Sequence, residues 1–145
     1  MGVDLVSGIF VLARELRRHI HEVMVTEQWA IDAGFRPPCL GVLHVVAESG
    51  PVSQREISDH LGLDASDVVG VLDILEAAGM VERRRDPDDR RRHAVVLTVP
   101  GERAAERLKV LRSEVEDRVL AGLDPDERRR LAELLHRAAA GVPAR

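Results

Sequence analysis

Six arginines fall between positions 83 and 92: Arg83, Arg84, Arg85, Arg90, Arg91 and Arg92, within the stretch VERRRDPDDRRRH (81–93). Guanidiniums this dense suit one chemistry above others, the replacement of counterions on a polyphosphate. The interrupting Asp86-Pro87-Asp88-Asp89 is turn-forming. The flanks, Met80–Arg83 and Ala94–Thr98, read as strands. The arrangement predicts a hairpin with a charged tip. A plain alternative is a solvated hairpin whose charges blunt a sheet edge. Its setting must decide.

The rest of the chain gives that hairpin its weight. The protein of 145 residues has a formal charge of −4. Residues 51–80 hold one basic and six acidic residues, net −5; residues 81–93 hold six and four, net +2. The cations are thus concentrated in one short element of an acidic protein.

Other reactive residues are sparse. Cys39 is the sole cysteine, so an intrachain disulfide and a cysteine-based zinc site are excluded. It follows Pro38 near a helix start, where a thiol is either activated by the helix terminus or buried and inert. His19 and His21 are two apart, and His44, His60, His93 and His136 are scattered, so no metal site is expected. Phosphate-binding glycine loops, nucleophile elbows and paired catalytic acids are missing, which argues against an enzyme. No cofactor is expected. Apolar residues reach 45% and aromatics only 2%, which predicts an aliphatic, helix-built core. No apolar run approaches membrane-span length, and Asp4, Arg14 and Glu15 interrupt the N-terminal stretch. A cytoplasmic protein without membrane contact is the expectation.

The elements that must position the hairpin follow from periodicity. Leu5, Ile9, Leu12, Leu16, Ile20 and Val23 predict one long helix over 3–30. A second is predicted over about 38–48. Ser53-Gln54-Arg55-Glu56 forms a capping box for a short helix ending at Gly62. Asp64-Ala65-Ser66-Asp67 opens the next, with Val68, Val71, Leu72 and Leu75 inward and Gly79 as its terminal glycine. Two short helices about a tight turn make a helix-turn-helix. Helices from about Pro100 to Leu120 and over about 125–140 complete the chain, the latter opened by a second capping box with Asp124 as N-cap, Pro125 at N1 and Glu127 at N3. The predicted fold is mainly α with a small β-hairpin wing. Residues 37–98 form a winged helix-turn-helix lobe, and residues 1–36 and 99–145 form helical dimerisation regions. The outer helices carry apolar faces with nothing large to cover them, so a homodimer is expected.

Leu75-Glu76-Ala77-Ala78-Gly79-Met80-Val81-Glu82-Arg83, then Asp86-Pro87-Asp88-Asp89-Arg90-Arg91, then Val96-Leu97-Thr98, resembles the MarR family of bacterial regulators. Gly50 to Ile57 resembles that family's approach to the helix-turn-helix. The likeness covers nearly the whole chain. It implies a homodimer on a pseudo-palindromic double-stranded DNA operator, with repression as the usual mode. The second helix of the motif would enter the major groove. The hairpin would be a wing in the minor groove, with Arg91 at its tip oriented by Asp89. Such insertion suits a narrow, electronegative A·T-rich groove. Implied DNA contacts are Ser53, Gln54 and Arg55, then Ala65, Ser66, Asp67, Val69 and Gly70, then Arg83, Arg85, Asp89, Arg90, Arg91 and Arg92. Arg84 is a further candidate for phosphate contact or packing.

The chain departs from the pattern at the recognition helix. Family members usually place Thr, Arg or Lys on its outer face, often Arg at position 70. Here no cation stands between Arg55 and Arg83, and Asp67 and Asp73 face outward. Asp67 either accepts from a cytosine amino group or supports the helix N-terminus. Affinity is therefore expected to rest on the wing. A rival reading is a winged-helix dimer with little DNA binding that serves as a protein-interaction module. The resemblance further implies release by a small aromatic or phenolic effector. The candidate lining residues are His19, Val23, Trp29, Cys39 and Leu43. Trp29 serves equally well as a core or dimer anchor.

Overall fold

Asp4 accepts a hydrogen bond from the Ser7 amide (3.2 Å) and caps helix α1, Leu5–Met24. The computed structural model describes residues 4–86, 88–89 and 91–142. Helix α2 (Gln28–Asp32), α3 (Pro37–Ser49), β1 (Val52–Ser53), α4 (Gln54–Leu61) and α5 (Ala65–Ala77) follow. Then come β2 (Val81–Arg85), β3 (His93–Leu97), α6 (Val99–Val119) and α7 (Pro125–Ala140).

The single helix expected over 3–30 is in fact two. Thr26 turns its hydroxyl back onto the Val23 carbonyl (2.8 Å), and Glu27 takes an extended backbone (φ −91°, ψ 91°). The Glu27 carboxylate is drawn to Arg107 of α6 (2.6 Å), so a tertiary contact overrides the periodicity. The expected capping boxes form at Ser53–Glu56 and Asp124–Glu127. Gly62 ends α4 in the left-handed region (φ 62°), which only glycine adopts without strain.

The sheet has three strands rather than two, in the order β1-β3-β2. Val52 pairs with Val95, and Arg83 also pairs with Val95 from the other side. A two-residue strand has no periodicity to read, so β1 is invisible before the chain folds.

One aliphatic core holds α3, α4, α5 and the sheet together. Leu43, Ile57, Leu72, Leu75 and Val95 are fully buried in it. The core continues past residue 98 through Ala104, Leu108 and Leu111 of α6. The joint between wing and α6 is close-fitting. Thr98 caps α6 by accepting from the Gly101 amide (3.1 Å) and donates its hydroxyl to the Gly79 carbonyl. Gly101 packs so tightly that a Cβ there would lie 1.8 Å from the Met80 carbonyl oxygen. By contrast, α1 and α7 contain no buried residue.

Candidate nucleic-acid interface

The wing is built by its aspartates. The Asp86 carboxylate accepts from the Asp88 amide (2.9 Å), and the Asp89 carboxylate accepts from the Arg91 amide (3.0 Å). These Asx turns fold the tip without glycine. The expected role of Asp89 changes accordingly: it fixes the backbone of Arg91, not its guanidinium. Its second oxygen lies 3.7 Å from Arg92 Nε, too far for a strong bond. Arg85, Arg91 and Arg92 are exposed. Arg90 lies outside the described residues.

Arg83 differs from its neighbours because a strand alternates faces. It shares the inner face of β2 with buried Val81, so its side chain is turned against α5 and is only 20% exposed. The guanidinium donates to Asp73 (2.8 Å), to Glu76 and to Gln54 Oε1 (3.2 Å). Arg83 and Gln54, both expected at the DNA, are thus committed to each other. The same bonds neutralise Asp73, one of the two acids expected to repel phosphate. Arg84 pairs with Glu82 on the opposite face.

On α5 the inward stripe is as expected: Val68, Val71, Leu72 and Leu75 are buried. Ala65, Ser66, Asp67 and Val69 are exposed and Gly70 is half-buried. Asp64 makes no side-chain cap, and Asp67 is the acid of the first turn, where a negative charge complements the positive end of the helix dipole. Ser53 is spent on its capping box, with its hydroxyl 3.2 Å from the Glu56 amide, whereas Arg55 is exposed.

A second feature involves none of the wing residues. Helices α1, α2, α3, α6 and α7 line a half-open cavity of about 620 Å³, within the range of small-molecule sites. Leu16, Val23, Trp29, Leu40, Leu111 and Val115 are among its lining residues, with Arg112 and Glu116 supplying charge. Trp29 is held at its edge by two contacts. Its indole N–H donates to Glu27 (2.6 Å), and its ring meets Phe35 edge-on at 5.5 Å. Arg107 holds the Glu27 carboxyl below the usual carboxylate range, helped by the Trp29 hydrogen bond.

The sequence comparisons agree with this architecture. A sequence profile of the MarR family matches residues 33–92, from just before α3 to the wing. The putative transcriptional regulatory protein for the hcr operon of Thauera aromatica is 33% identical over 140 residues, covering 92% of this chain and 83% of the relative. The chain belongs to the MarR family. Among solved structures, CouR from Rhodococcus jostii RHA1 bound to p-coumaroyl-CoA is similar with a TM-score of 0.77 and 27% identity, covering 99% of this chain and all of that one. BpsR of Bordetella bronchiseptica, whose DNA binding is regulated by 6-hydroxynicotinic acid, is similar with a TM-score of 0.70 and 25% identity over 92% of this chain and 93% of that one. MarR-family proteins are DNA-binding transcriptional regulators and not enzymes.

Within this MarR-family fold the expected effector residues separate. Val23 and Trp29 line the cavity. Cys39 and Leu43 do not; both have zero exposure in the lobe core, because the inner side of α3 faces α5 and the sheet. His19 is half-buried, its ring bonded to the Glu15 carbonyl (2.9 Å), and is not in the lining. Burial pushes the Cys39 thiol up, which favours the inert reading of this cysteine. Among the described residues no three His, Cys, Asp or Glu side chains gather as a metal site, and no helix is long and apolar enough to cross a membrane. Two features escaped the sequence reading. Arg112 and Glu116 lie in a helix called only by its apolar stripe, and Arg36 sits in a connection read only as a helix boundary.

Proposed function

We propose that this chain is a homodimeric repressor that grips a pseudo-palindromic operator mainly through its wings and lets go when a small aromatic acid enters the α1–α3–α6 cavity. The observation that carries this reading is the wing itself. Arg85, Arg91 and Arg92 are exposed at a tip where the Asp86 and Asp89 carboxylates accept from backbone amides. Such a tip offers Arg85 and Arg91 to a minor groove with no ion pair to break among the described residues, and Arg92 with only a long contact to Asp89. Arg91, with Arg85, Arg90 and Arg92, is the proposed wing contact. Ser66, Asp67 and Val69 form the proposed outer face of the recognition helix.

Dimerisation is supported by the unburied helices. Leu5 is 77% and Phe10 68% exposed on α1, and Leu134 and Leu135 are about half exposed on α7. Apolar area of this extent on two long helices is unfavourable unless a second copy covers it. The proposed division keeps 1–36 and 99–145 for dimerisation and 37–98 for DNA, with Arg36 at the boundary and α6 joining the two. The effector reading is supported by the cavity's apolar walls and the charge of Arg112, which suit a flat ring bearing a carboxylate.

The test uses a fluorescein-labelled duplex selected by the protein from a random-sequence pool. Anisotropy titrations should show tight, strongly salt-dependent binding that 6-hydroxynicotinic acid or a related aromatic acid weakens. Arg91→Ala should reduce affinity by roughly 100-fold, because each dimer loses two guanidinium contacts of about 1–3 kcal/mol. Binding by Arg91→Ala equal to wild type would refute the wing-led reading.

A further inference from the structure

The outer face of α5 carries no cation of its own, yet one is delivered to it from elsewhere in the chain. Helical geometry places Ser66, Gly70, Asp73 and Ala77 on the stripe opposite the buried residues. Ser66, Asp73 and Ala77 are exposed, but Gly70 is half-buried. The cover is Arg36: a Cβ on residue 70 would lie 3.8 Å from Arg36 Nη2, with no other atom within 4 Å among the described residues. The glycine thus leaves a notch beside α5, and the guanidinium of a different segment occupies it.

Arg36 is mounted firmly for this. It precedes Pro37, which confines its backbone to extended conformations, and it is so observed (φ −109°, ψ 159°). Its amide donates to the buried sulfur of Cys39 (3.4 Å), and its carbonyl accepts from the Cys39 amide (2.9 Å). That contact gives the core cysteine a part in fixing Arg36. Among the described residues Arg36 forms no ion pair, whereas Arg83, across the same helix, is bound to two acids. Asp67, one turn before Gly70, is beyond ion-pair distance from Arg36, so the guanidinium is available.

We infer that Arg36 is a DNA-phosphate contact that supplies the recognition face with the positive charge α5 lacks. This rests on the proposed docking of α5 in the major groove. The commitment is to phosphate because Arg36 reaches α5 from another segment and adds the counter-charge that its acidic face lacks, whereas base readout falls to side chains of the helix itself.

The experiment is an anisotropy titration of the intact dimer on the selected duplex across a series of KCl concentrations. Arg36→Ala should bind about tenfold more weakly. The slope of log K against log salt should become shallower by about 1.8 per dimer, two phosphates at roughly 0.9 each. Arg36→Lys should keep most of the slope. Gly70→Arg in the Arg36→Ala background should restore it, and unchanged melting would place the loss in binding rather than folding. Four results overturn the inference: a wild-type slope for Arg36→Ala, an altered base preference with unchanged slope, a parallel loss of melting temperature, or failure of Gly70→Arg to restore the slope. If the wild type itself ignores the duplex at low salt, the DNA reading fails as a whole; if only Arg36→Ala is silent, this inference alone falls.

Discussion

Helix α5 and the wing stand on either side of Arg83 and solve opposite problems. The helix is acidic, and two of its three acids are handled by pairing: Arg83 binds Asp73 and Glu76, while Asp67 has no ion-pair partner among the described residues. The wing is basic, and two of its acids, Asp86 and Asp89, are diverted to backbone amides while Arg85, Arg91 and Arg92 stay exposed. Local charge counts mislead in both places. What matters is which groups are already bonded when DNA arrives. An acid with an internal partner repels phosphate weakly, and an arginine with internal partners is a strut rather than a contact.

The largest expected effect severs the wing from its support. Gly101→Ala would drive a Cβ into the Met80 carbonyl at the junction of α5, β2 and α6. Because the obstacle is backbone, relief needs a shift of the α6 start, and we expect a loss of about 3 kcal/mol or more, read by denaturant unfolding. A near-wild-type midpoint would show that wing and α6 are less tightly joined than described.

Next comes the strut. Arg83→Ala should lower stability by about 1–2 kcal/mol, the pairs being partly exposed and screened. It should also weaken DNA binding, through the repulsion of freed Asp73 and Glu76. The double variant Arg83→Ala with Asp73→Asn should recover part of the DNA affinity. If the single variant keeps wild-type stability and loses only DNA, Arg83 is a contact after all.

A smaller effect distinguishes the two roles of Asp89. Asp89→Asn retains an oxygen for the Arg91 amide and removes a negative charge from the tip. Affinity should stay level or rise severalfold, while Asp89→Ala should lower it. If the asparagine variant binds as poorly as the alanine one, the carboxylate acts on a guanidinium.

The smallest effect lies outside both regions and calibrates them. Burial, aided by Arg112 and opposed by Glu48, pushes the His44 imidazole below its ordinary value. The folded chain therefore favours the neutral ring. Well above about pH 6.5 neither folded nor unfolded chain is protonated at this site, and it contributes no pH dependence. As pH falls below that value the unfolded chain takes up the proton first, so stability declines until the folded ring titrates too. Melting between about pH 7.5 and 5.5 should show this decline, and His44→Gln should flatten it.

How much could be read in advance depended on the range of the interaction. Helix stripes, both capping boxes, the hairpin and the terminal glycines rest on residues a few positions apart, and they stand where the sequence placed them. The break at Val25–Glu27 and strand β1 depend on partners 80 and 43 residues away, Arg107 and Val95, and no local pattern announces them. The candidate site divides in the same way. Six clustered arginines announced a charged wing and, with the motif beside it, a family. The sequence could not say that Arg83 is held against α5 while Arg85, on the same face of β2, is exposed, because that depends on where the acids of α5 stand along the strand. Nor could it say that Arg36 covers Gly70, 34 positions later. Sequence alone determined where charge is concentrated; tertiary packing decided which charges are left free, since an ion pair forms between neighbours in space and not in order.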